Sequence, residues 1–423
     1  MNYKEAISWL NSFQRFGIKL GLERIKYICK KLGNPQDKYQ IIHVGGSNGK
    51  GSVCQFLKSI LCINGYRVGV YTSPHLQSLS ERFVVDGKKI SEREIVSLVE
   101  KIKPIVDEMN DTPTFFEAIT AMAFQYFCDR KVEYAIIEVG LGGRFDATNI
   151  VNPLVSVITN VSLEHQDRLG KKIEDIAFEK AGIIKKKVAV VTAASGKALE
   201  VIKKKLIENN NSAIFVNKNF YEKISGGIDW QKYLINGVLK DYNLRIQMPG
   251  TFQGENLAVA IATVEALQRN GVFITDESIV KGAECTKHIG RMEIFGFNPV
   301  LLLDGAHNIA AISALKDSIK KDFVFRKLIL VIGILSDKNI DEMLEIITSV
   351  ADLVIVTKSS NERACNPVVL KDKVLKAGFK KEIIAKEKLN DAIAYAKSVA
   401  KKDDLILITG SLFTVGDARY ILT

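Results

Sequence analysis

A chain of 423 residues with 47% hydrophobic and 25% charged side chains is too rich in apolar material to be disordered and too long for one core of ordinary size. Two or three globular domains are therefore expected. The formal charge of +11 suits anionic partners such as nucleotides, polyglutamates or nucleic acid, and charge alone does not choose among them. Glu5 interrupts any leader-like apolar run and no later segment is apolar enough to span a bilayer, so the expectation is a cytoplasmic protein with no membrane partner. Cys29, Cys54, Cys62, Cys128, Cys285 and Cys365 are scattered, with no Cys-x-x-Cys pair and no zinc-type spacing, which predicts reduced thiols.

Short β-rich runs at 41–44, 68–71, 134–139, 154–159 and 188–191 alternate with amphipathic stretches, the pattern of a parallel sheet wrapped by helices. Open sheets of this kind bind ligands beyond the carboxyl ends of their strands, so functional residues are expected in the loops that follow. Between 220 and 250 the segments shorten and are punctuated by Gly226-Gly227, Asn236-Gly237 and Asp241, which predicts a β-hairpin element; a helix is expected over 255–268. After His288-Ile-Gly-Arg291 a second α/β series begins, with strands expected at 300–303, 328–334, 353–356 and 405–409. The reading is α/β throughout. A mostly parallel sheet domain with a phosphate loop covers 1–290, and a smaller Rossmann-like domain covers 291–423.

The first strand runs into Gly45-Gly46-Ser47-Asn48-Gly49-Lys50-Gly51-Ser52, and 53–64 reads as a helix. Strand, glycine-rich loop and helix are the context of a phosphate cradle: backbone N–H groups converge on phosphate oxygens, the helix terminus adds partial positive charge, Lys50 neutralises, and Ser52 can reach a magnesium ion. The spacing departs from the common Walker pattern, with three residues between Gly45 and Gly49 and a glycine between Lys50 and Ser52.

This loop resembles that of the Mur ligase superfamily, and its Lys-Gly-Ser ending is similar to the folate branch, the folylpolyglutamate and dihydrofolate synthases. Ser47 stands where that family usually has threonine. The resemblance continues, in the family's order, through Phe16-Gly-Ile-Lys-Leu-Gly-Leu-Glu-Arg24, Tyr71-Thr-Ser-Pro-His-Leu76, Glu81-Arg-Phe83, Glu138-Val-Gly-Leu-Gly-Gly-Arg-Phe-Asp-Ala-Thr-Asn149, Leu163-Glu-His-Gln-Asp167, Glu179-Lys-Ala-Gly-Ile-Ile-Lys185, Leu303-Asp-Gly-Ala-His-Asn308 and Gly410-Ser411. It implies ATP bound by Gly46, Ser47, Asn48, Gly49, Lys50, Gly51 and Ser52, with Asn256 on the adenine side and Arg291 and Asp304 contacting the nucleotide from the second domain. It also implies two magnesium ions, with Ser73, Glu138 and His165 as ligands and Lys180, carbamoylated by CO₂, as a ligand of the second. His307 would approach the transferring phosphate, making Lys50, Lys180 and His307 the catalytic set. Asp146 is implied as a pterin contact and Ser411 as a neighbour of the incoming glutamate.

Read from the residues alone, several of these positions have plainer explanations. Glu138 closes an apolar strand and can be a solvated strand end; His165 is a lone loop histidine, and imidazole is an unusual magnesium ligand. Lys180 shares a helix face with Ile173, Ile176 and Ala177, so it either points inward or snorkels out. Turn chemistry accounts for Gly142 to Asn149, and a capped helix start accounts for Asp304 and Asn308. Phe83 and Phe116 can stack on a pterin or belong to the core.

The activity implied is ATP-dependent amide formation. A folate or dihydropteroate carboxylate is activated as an acyl phosphate, the amine of L-glutamate attacks, and ADP and phosphate are released by a monomeric enzyme. Another Mur-type ligase is the alternative, although no room for a nucleotide-sugar domain precedes Ile41. A nucleic-acid-binding NTPase fits poorly, because the lysine runs 185–187, 203–205 and 380–381 are dispersed and lack interleaved aromatics.

Overall fold

β1 (Gln40–Gly45) is buried from its second residue to its last, and such a continuous apolar run belongs in the middle of a sheet covered on both faces. The computed structural model, which describes every residue except Ile18 (so one position of the Phe16 to Arg24 segment lies outside the described residues), sets it there. With β2 (Val68–Tyr71), β3 (Phe83–Val85), β4 (Lys88–Lys89), β5 (Tyr134–Glu138), β6 (Val155–Ile158), β7 (Ala189–Thr192) and β8 (Ala213–Phe215), it forms an eight-stranded sheet ordered β4-β3-β2-β5-β1-β6-β7-β8. The pairs β1·β5, β1·β6, β2·β5, β6·β7 and β7·β8 are parallel, and β2·β3 and β3·β4 are antiparallel.

The five strands expected from hydrophobic runs are present. Phe83–Val85, Lys88–Lys89 and Ala213–Phe215 were not foreseeable as strands, because two or three residues are too few for a periodicity to register. The helix after β1 starts at Lys50, three residues earlier than its apolar pattern predicts. Gly49, at φ 84°, turns the chain sharply enough that Lys50, Gly51 and Ser52 already form the first helical turn.

The chain divides into two compact units, one made of Met1–Glu222, Tyr233–Arg245 and Gly254–Thr286, the other of Lys223–Lys232, Ile246–Gln253 and Lys287–Thr423. One hydrophobic cluster of the first unit gathers the N-terminal helices Tyr3–Asn11 and Glu23–Lys31 with Glu92–Asp107 and Phe115–Asp129; another joins Ile173–Ala181 to Gly196–Asn209. β9 (Tyr221–Gly226), β10 (Gln231–Asn236) and β11 (Asp241–Ile246) make a three-stranded sheet ordered β11-β10-β9. The second unit carries β12 (Glu293–Phe297), β13 (Val300–Leu303), β14 (Leu328–Ile332), β15 (Leu353–Val356), β16 (Glu382–Ala385) and β17 (Leu405–Thr409) in the order β12-β13-β17-β14-β15-β16. All its pairs are parallel except β12·β13. No helix among the described residues is long and apolar enough to cross a membrane.

His43, in the centre of β1, is fully buried. Its Nε2 lies 2.8 Å from Thr148 Oγ1, whose hydroxyl donates to Asp146 Oδ1 at 2.5 Å; the threonine oxygen therefore accepts from His43 Nε2–H. Burial and, secondarily, the Lys185 charge lower the His43 pKa from 6.5 to about 3. Between these values the unfolded chain binds a proton that the folded chain refuses, so this contribution to stability is present above pH 6.5 and is lost as the pH falls toward 3. In urea titrations across that window, His43→Gln is expected to show a shallower decline than wild type, by up to about 1.4 kcal/mol per pH unit. Parallel curves for the two proteins would show that His43 is not held neutral.

Candidate active site

β1 delivers the phosphate loop directly, and the loop's shape is set by two glycines that no other residue could replace without strain. Gly46 has φ 134°, and a Cβ there would fall 1.9 Å from Thr159 Oγ1; Gly49 has φ 84°, and its Cβ would fall 2.2 Å from Asn256 Oδ1. Lys50 folds back over the loop, with Nζ donating to the carbonyls of Gly46 at 2.9 Å and Ser47 at 3.1 Å. Ser52 is buried in the first turn of the helix Lys50–Ile63. The N–H groups at that helix start have no carbonyl partner within the helix and are the natural donors to a phosphate.

The loop after β6 braces this cradle. Ser47 N–H donates to the Asn160 carbonyl at 2.8 Å, Asn48 N–H to Asn160 Oδ1 at 3.0 Å, and Asn160 Nδ2 reaches Glu255 Oε1 at 3.2 Å. Ser47 and Ser162 exchange two hydrogen bonds, at 3.2 and 3.0 Å, and the Thr159 hydroxyl donates to the Asn48 carbonyl at 2.6 Å. Glu255 and Asn256 open the helix Gln253–Arg269, so Asn160 ties the phosphate loop to the segment that carries the candidate adenine-side asparagine.

Two of the candidate metal ligands, Ser73 and Glu138, meet at the same edge of the sheet. Glu138, the last residue of β5, is 5% exposed and accepts the Ser73 N–H at 3.2 Å. His165 has φ 46°, a strained left-handed conformation for a non-glycine, at the entry of the short helix Gln166–Leu169.

Lys180 points inward. Its side chain is 2% exposed, and Nζ is 2.7 Å from Glu164 Oε1, itself 9% exposed. Burial lowers the Lys180 pKa and Glu164 only partly opposes it. For Glu164 burial pushes the other way, but Lys180 and Lys50 outweigh it and bring the carboxyl down to about 2.

The residues suggested for a pterin divide. Phe83 is fully buried in the hydrophobic core with its ring 5.7 Å from Tyr71, which leaves no face for a ligand and corrects the expectation of a stacking role. Phe116 is half-buried, stacks on Tyr71 at 6.1 Å and lies against Gly140, where a Cβ would meet its ring at 2.5 Å. Asp146 is 5% exposed and internally committed, with Oδ1 accepting from the Thr148 N–H and hydroxyl and Oδ2 from the Leu141 N–H. Burial raises its pKa against those hydrogen bonds.

In the second unit Asp304, at the carboxyl end of β13, is 3% exposed. It accepts the Met292 N–H at 2.9 Å and the Ala306 N–H at 2.8 Å, and burial raises its pKa while the Arg291 charge opposes the rise. His307 Nδ1 lies 2.8 Å from the Gly305 carbonyl, which can only accept, so Nδ1 carries the hydrogen and Nε2 is the basic nitrogen. Ser411 is 2% exposed and caps the helix Leu412–Leu422 through the Thr414 N–H at 3.0 Å, a structural role.

Glu164, Asn160 and Ser162 escaped the sequence reading. Glu164 sits inside a segment already singled out for His165, and a carboxylate beside a candidate ligand was the available signal. Asn160 acts on the Asn48 N–H and Ser162 on the Ser47 hydroxyl, each more than a hundred positions away, which no local pattern reports.

Two outcomes follow. Gly49→Ala is expected to weaken nucleotide binding at least about tenfold in calorimetric titration, the residue costing about 1–2 kcal/mol in a left-handed conformation. Adding Asn256→Ala relieves the clash but not the backbone, so affinity stays below wild type. Wild-type affinity in the single variant would remove this loop as the phosphate site. In protein freed of CO₂, so that Lys180 is an amine, Glu164→Gln leaves a buried ammonium without its counter-charge and is expected to cost about 3 kcal/mol in denaturant titrations at pH 7; an unchanged midpoint would mean that Lys180 is already neutral or otherwise compensated.

Comparison with known proteins meets this geometry. The Mur ligase middle domain matches residues 44–264, and the Mur ligase glutamate ligase domain matches residues 290–412. The chain is 35% identical to the dihydrofolate synthase/folylpolyglutamate synthase of Bacillus subtilis over 99% of its own length and 98% of that protein's. Its fold is similar to the folylpolyglutamate synthase of Mycobacterium tuberculosis complexed with ADP and AMPPCP, with a TM-score of 0.92, 32% identity, and coverage of 100% of this chain and 99% of that one. It is also similar to Escherichia coli FolC in complex with DHPP and ADP, with a TM-score of 0.88, 28% identity, and coverage of 99% and 97%. With both Mur ligase domains matched and a dihydrofolate synthase/folylpolyglutamate synthase 35% identical over nearly the whole chain, the chain belongs to the Mur ligase family, within its folylpolyglutamate and dihydrofolate synthases.

Proposed function

We propose that this ATP-dependent ligase, which joins L-glutamate to a folate, works through an acyl phosphate and also accepts dihydropteroate. The observation that carries the reading is the convergence, at one sheet edge, of a phosphate loop with Glu138, Ser73 and a lysine only 2% exposed. The relatives solved with ADP, AMPPCP and DHPP support it, as does the double name of the Bacillus subtilis relative.

The chain's donors fit magnesium once Lys180 carries CO₂. In that reaction the neutral amine nitrogen bonds to the carbon of CO₂ and releases one proton to solvent, and burial favours it by lowering the lysine's pKa. The carbamate anion would lie beside the carboxylate of Glu164, two like charges in a buried place, and hard oxygen donors of this kind would suit a divalent cation. Ser73, Glu138 and His165 would hold one magnesium ion, and the carbamate of Lys180 a second. Bound there, magnesium supplies charge neutralisation on the transferring phosphoryl group.

Lys50 and the N–H groups at the start of its helix hold the ATP phosphates and stabilise the charge that spreads over the γ-phosphoryl group. A carboxylate oxygen of the acceptor bonds to the γ-phosphorus as the bond to ADP breaks. The glutamate amine attacks the acyl carbon and loses a proton, and phosphate leaves. In the second unit Arg291 and Asp304 bind the nucleotide, and His307 meets the transferring phosphate. Ser411 supports the glutamate end through its helix. The enzyme works as a cytoplasmic monomer without nucleic acid.

Purified protein incubated with Mg-ATP, glutamate and each acceptor in turn is expected to yield a new amide by mass, with ADP formed only when glutamate and a pterin acceptor are both present. ¹³C-bicarbonate should label Lys180 in the wild type and not in Lys180→Arg. ADP release stimulated by RNA, with no amide product, would overturn the reading.

A further inference from the structure

Arg82 ends the turn Leu79–Arg82 and is 9% exposed. Burial of a permanent charge is tolerated where an opposite charge meets it. Arg24, in the same unit, has that partner, with Nε 3.0 Å from both carboxylate oxygens of Glu117. Arg82 has neutral company instead: Nε donates to His75 Nδ1 at 2.9 Å, the ring centre of Phe115 is 5.8 Å from its Cζ, and the Tyr71 hydroxyl interacts with it. Among the described residues no carboxylate forms an ion pair with it; Glu138 and Glu81 act through space, and burial outweighs them in lowering its pKa.

The position of this charge along the sheet says which anion it awaits. Thr72 N–H donates to the Arg82 carbonyl at 3.3 Å, and Tyr71 pairs with Phe83, so Arg82 stands at the carboxyl end of β2. In the order β3-β2-β5-β1 the edge presents Arg82, then Ser73, then Glu138, then the phosphate loop. At about 4.8 Å per strand, the Arg82 backbone lies about 14 Å from that loop, with Ser73 and Glu138 between. A phosphate cradled by the loop is on one side of Glu138. Arg82 is on the other, against Phe115 and near Phe116, which stacks on Tyr71.

The anion that must sit there and meet the γ-phosphate is the acceptor's carboxylate, the nucleophile of the first step. Since His75 Nδ1 accepts from Arg82, the neutral ring carries its hydrogen on Nε2, a second donor beside the guanidinium.

We propose that Arg82 is a catalytic residue that binds the acceptor's carboxylate, with His75 Nε2–H as a second donor, and turns one carboxylate oxygen toward the γ-phosphate. This assignment rests on the ligase reading above. In the step it serves, that oxygen bonds to phosphorus, the bond from phosphorus to ADP breaks with its electron pair leaving on ADP, and no proton moves. Arg82 remains on the other acyl oxygen and neutralises the charge that develops there when the amine attacks.

The test compares binding of two probes by fluorescence titration, the acceptor acid that the wild type ligates and its primary carboxamide. Wild type is expected to prefer the acid by about 10- to 100-fold, a charge-assisted hydrogen-bond pair being lost in the amide. Arg82→Met should bind the two alike while its ATP affinity stays within about twofold of wild type, and Arg82→Lys, which cannot grip both oxygens, should lose about tenfold of the preference. An Arg82→Met protein that keeps the preference, or that loses ATP and both probes in parallel, would overturn the assignment. If the methionine variant does not fold, an undiminished preference in Arg82→Lys does so. Wild type that makes no amide refutes the ligase reading itself, a result distinct from an active wild type whose preference survives the substitution.

Discussion

The parallel register of three strands is the constraint on which the site depends. Val44 of β1 stands opposite Glu138 of β5, and Gly45 stands opposite Ile158 of β6. Parallel strands so aligned end at one level, so the phosphate loop, the Glu138 carboxylate and the segment 159–165 all leave the sheet at the same edge. Shifting β5 by one residue would turn Glu138 to the other face, because side chains alternate along a strand. β1, β5 and β6 are buried almost throughout, so such a slip would repack nearly every side chain of these strands against new neighbours.

From that edge the segment after β6 does three things within seven residues. Thr159, Asn160 and Ser162 clasp the phosphate loop, Glu164 turns back to Lys180, and His165 takes a strained backbone at the next helix start. A change in the phosphate loop is therefore mechanically connected to the environment of Lys180, through covalent chain and short hydrogen bonds. The charges gathered here are buried and incompletely matched: Lys180 is depressed by burial, Glu164 is held low by two lysines, and Arg82 has neutral partners. Protein interiors tolerate such groups at sites built to receive charge, where the ligand completes the pairing.

Much of this was legible in the sequence because it was local. The loop Gly45 to Ser52 announces its chemistry through residue types and spacing, and apolar runs of four or more residues report the central strands. Lys180 was readable only as an ambiguity: its helical phase put it with Ile176 and Ala177, but a lysine stem can lie along apolar surface and still reach water, and the pattern does not say which. Its carboxylate partner 16 positions earlier decided the matter. Phe83 shows the opposite failure. An aromatic beside a family signature suggests a ligand, yet the pairing of β3 with β2 drives that ring into the core, and Phe116 retains the partly exposed face.

What the sequence determined by itself was the set of local conformations and the kind of chemistry: alternating strands and helices, glycines where the backbone must turn, a phosphate cradle at a strand end. Those follow from hydrophobic periodicity and from the steric freedom of particular residues, which operate over a few positions. Only the tertiary structure decided which groups are charged neighbours. Asn160 on Asn48 and Glu164 on Lys180 are matters of strand order and packing, and contacts across 112 or 16 positions leave no periodic trace. Burial, a property of the assembled core, then turns those adjacencies into shifted acidities, and through them into a site that can hold an anion and activate it.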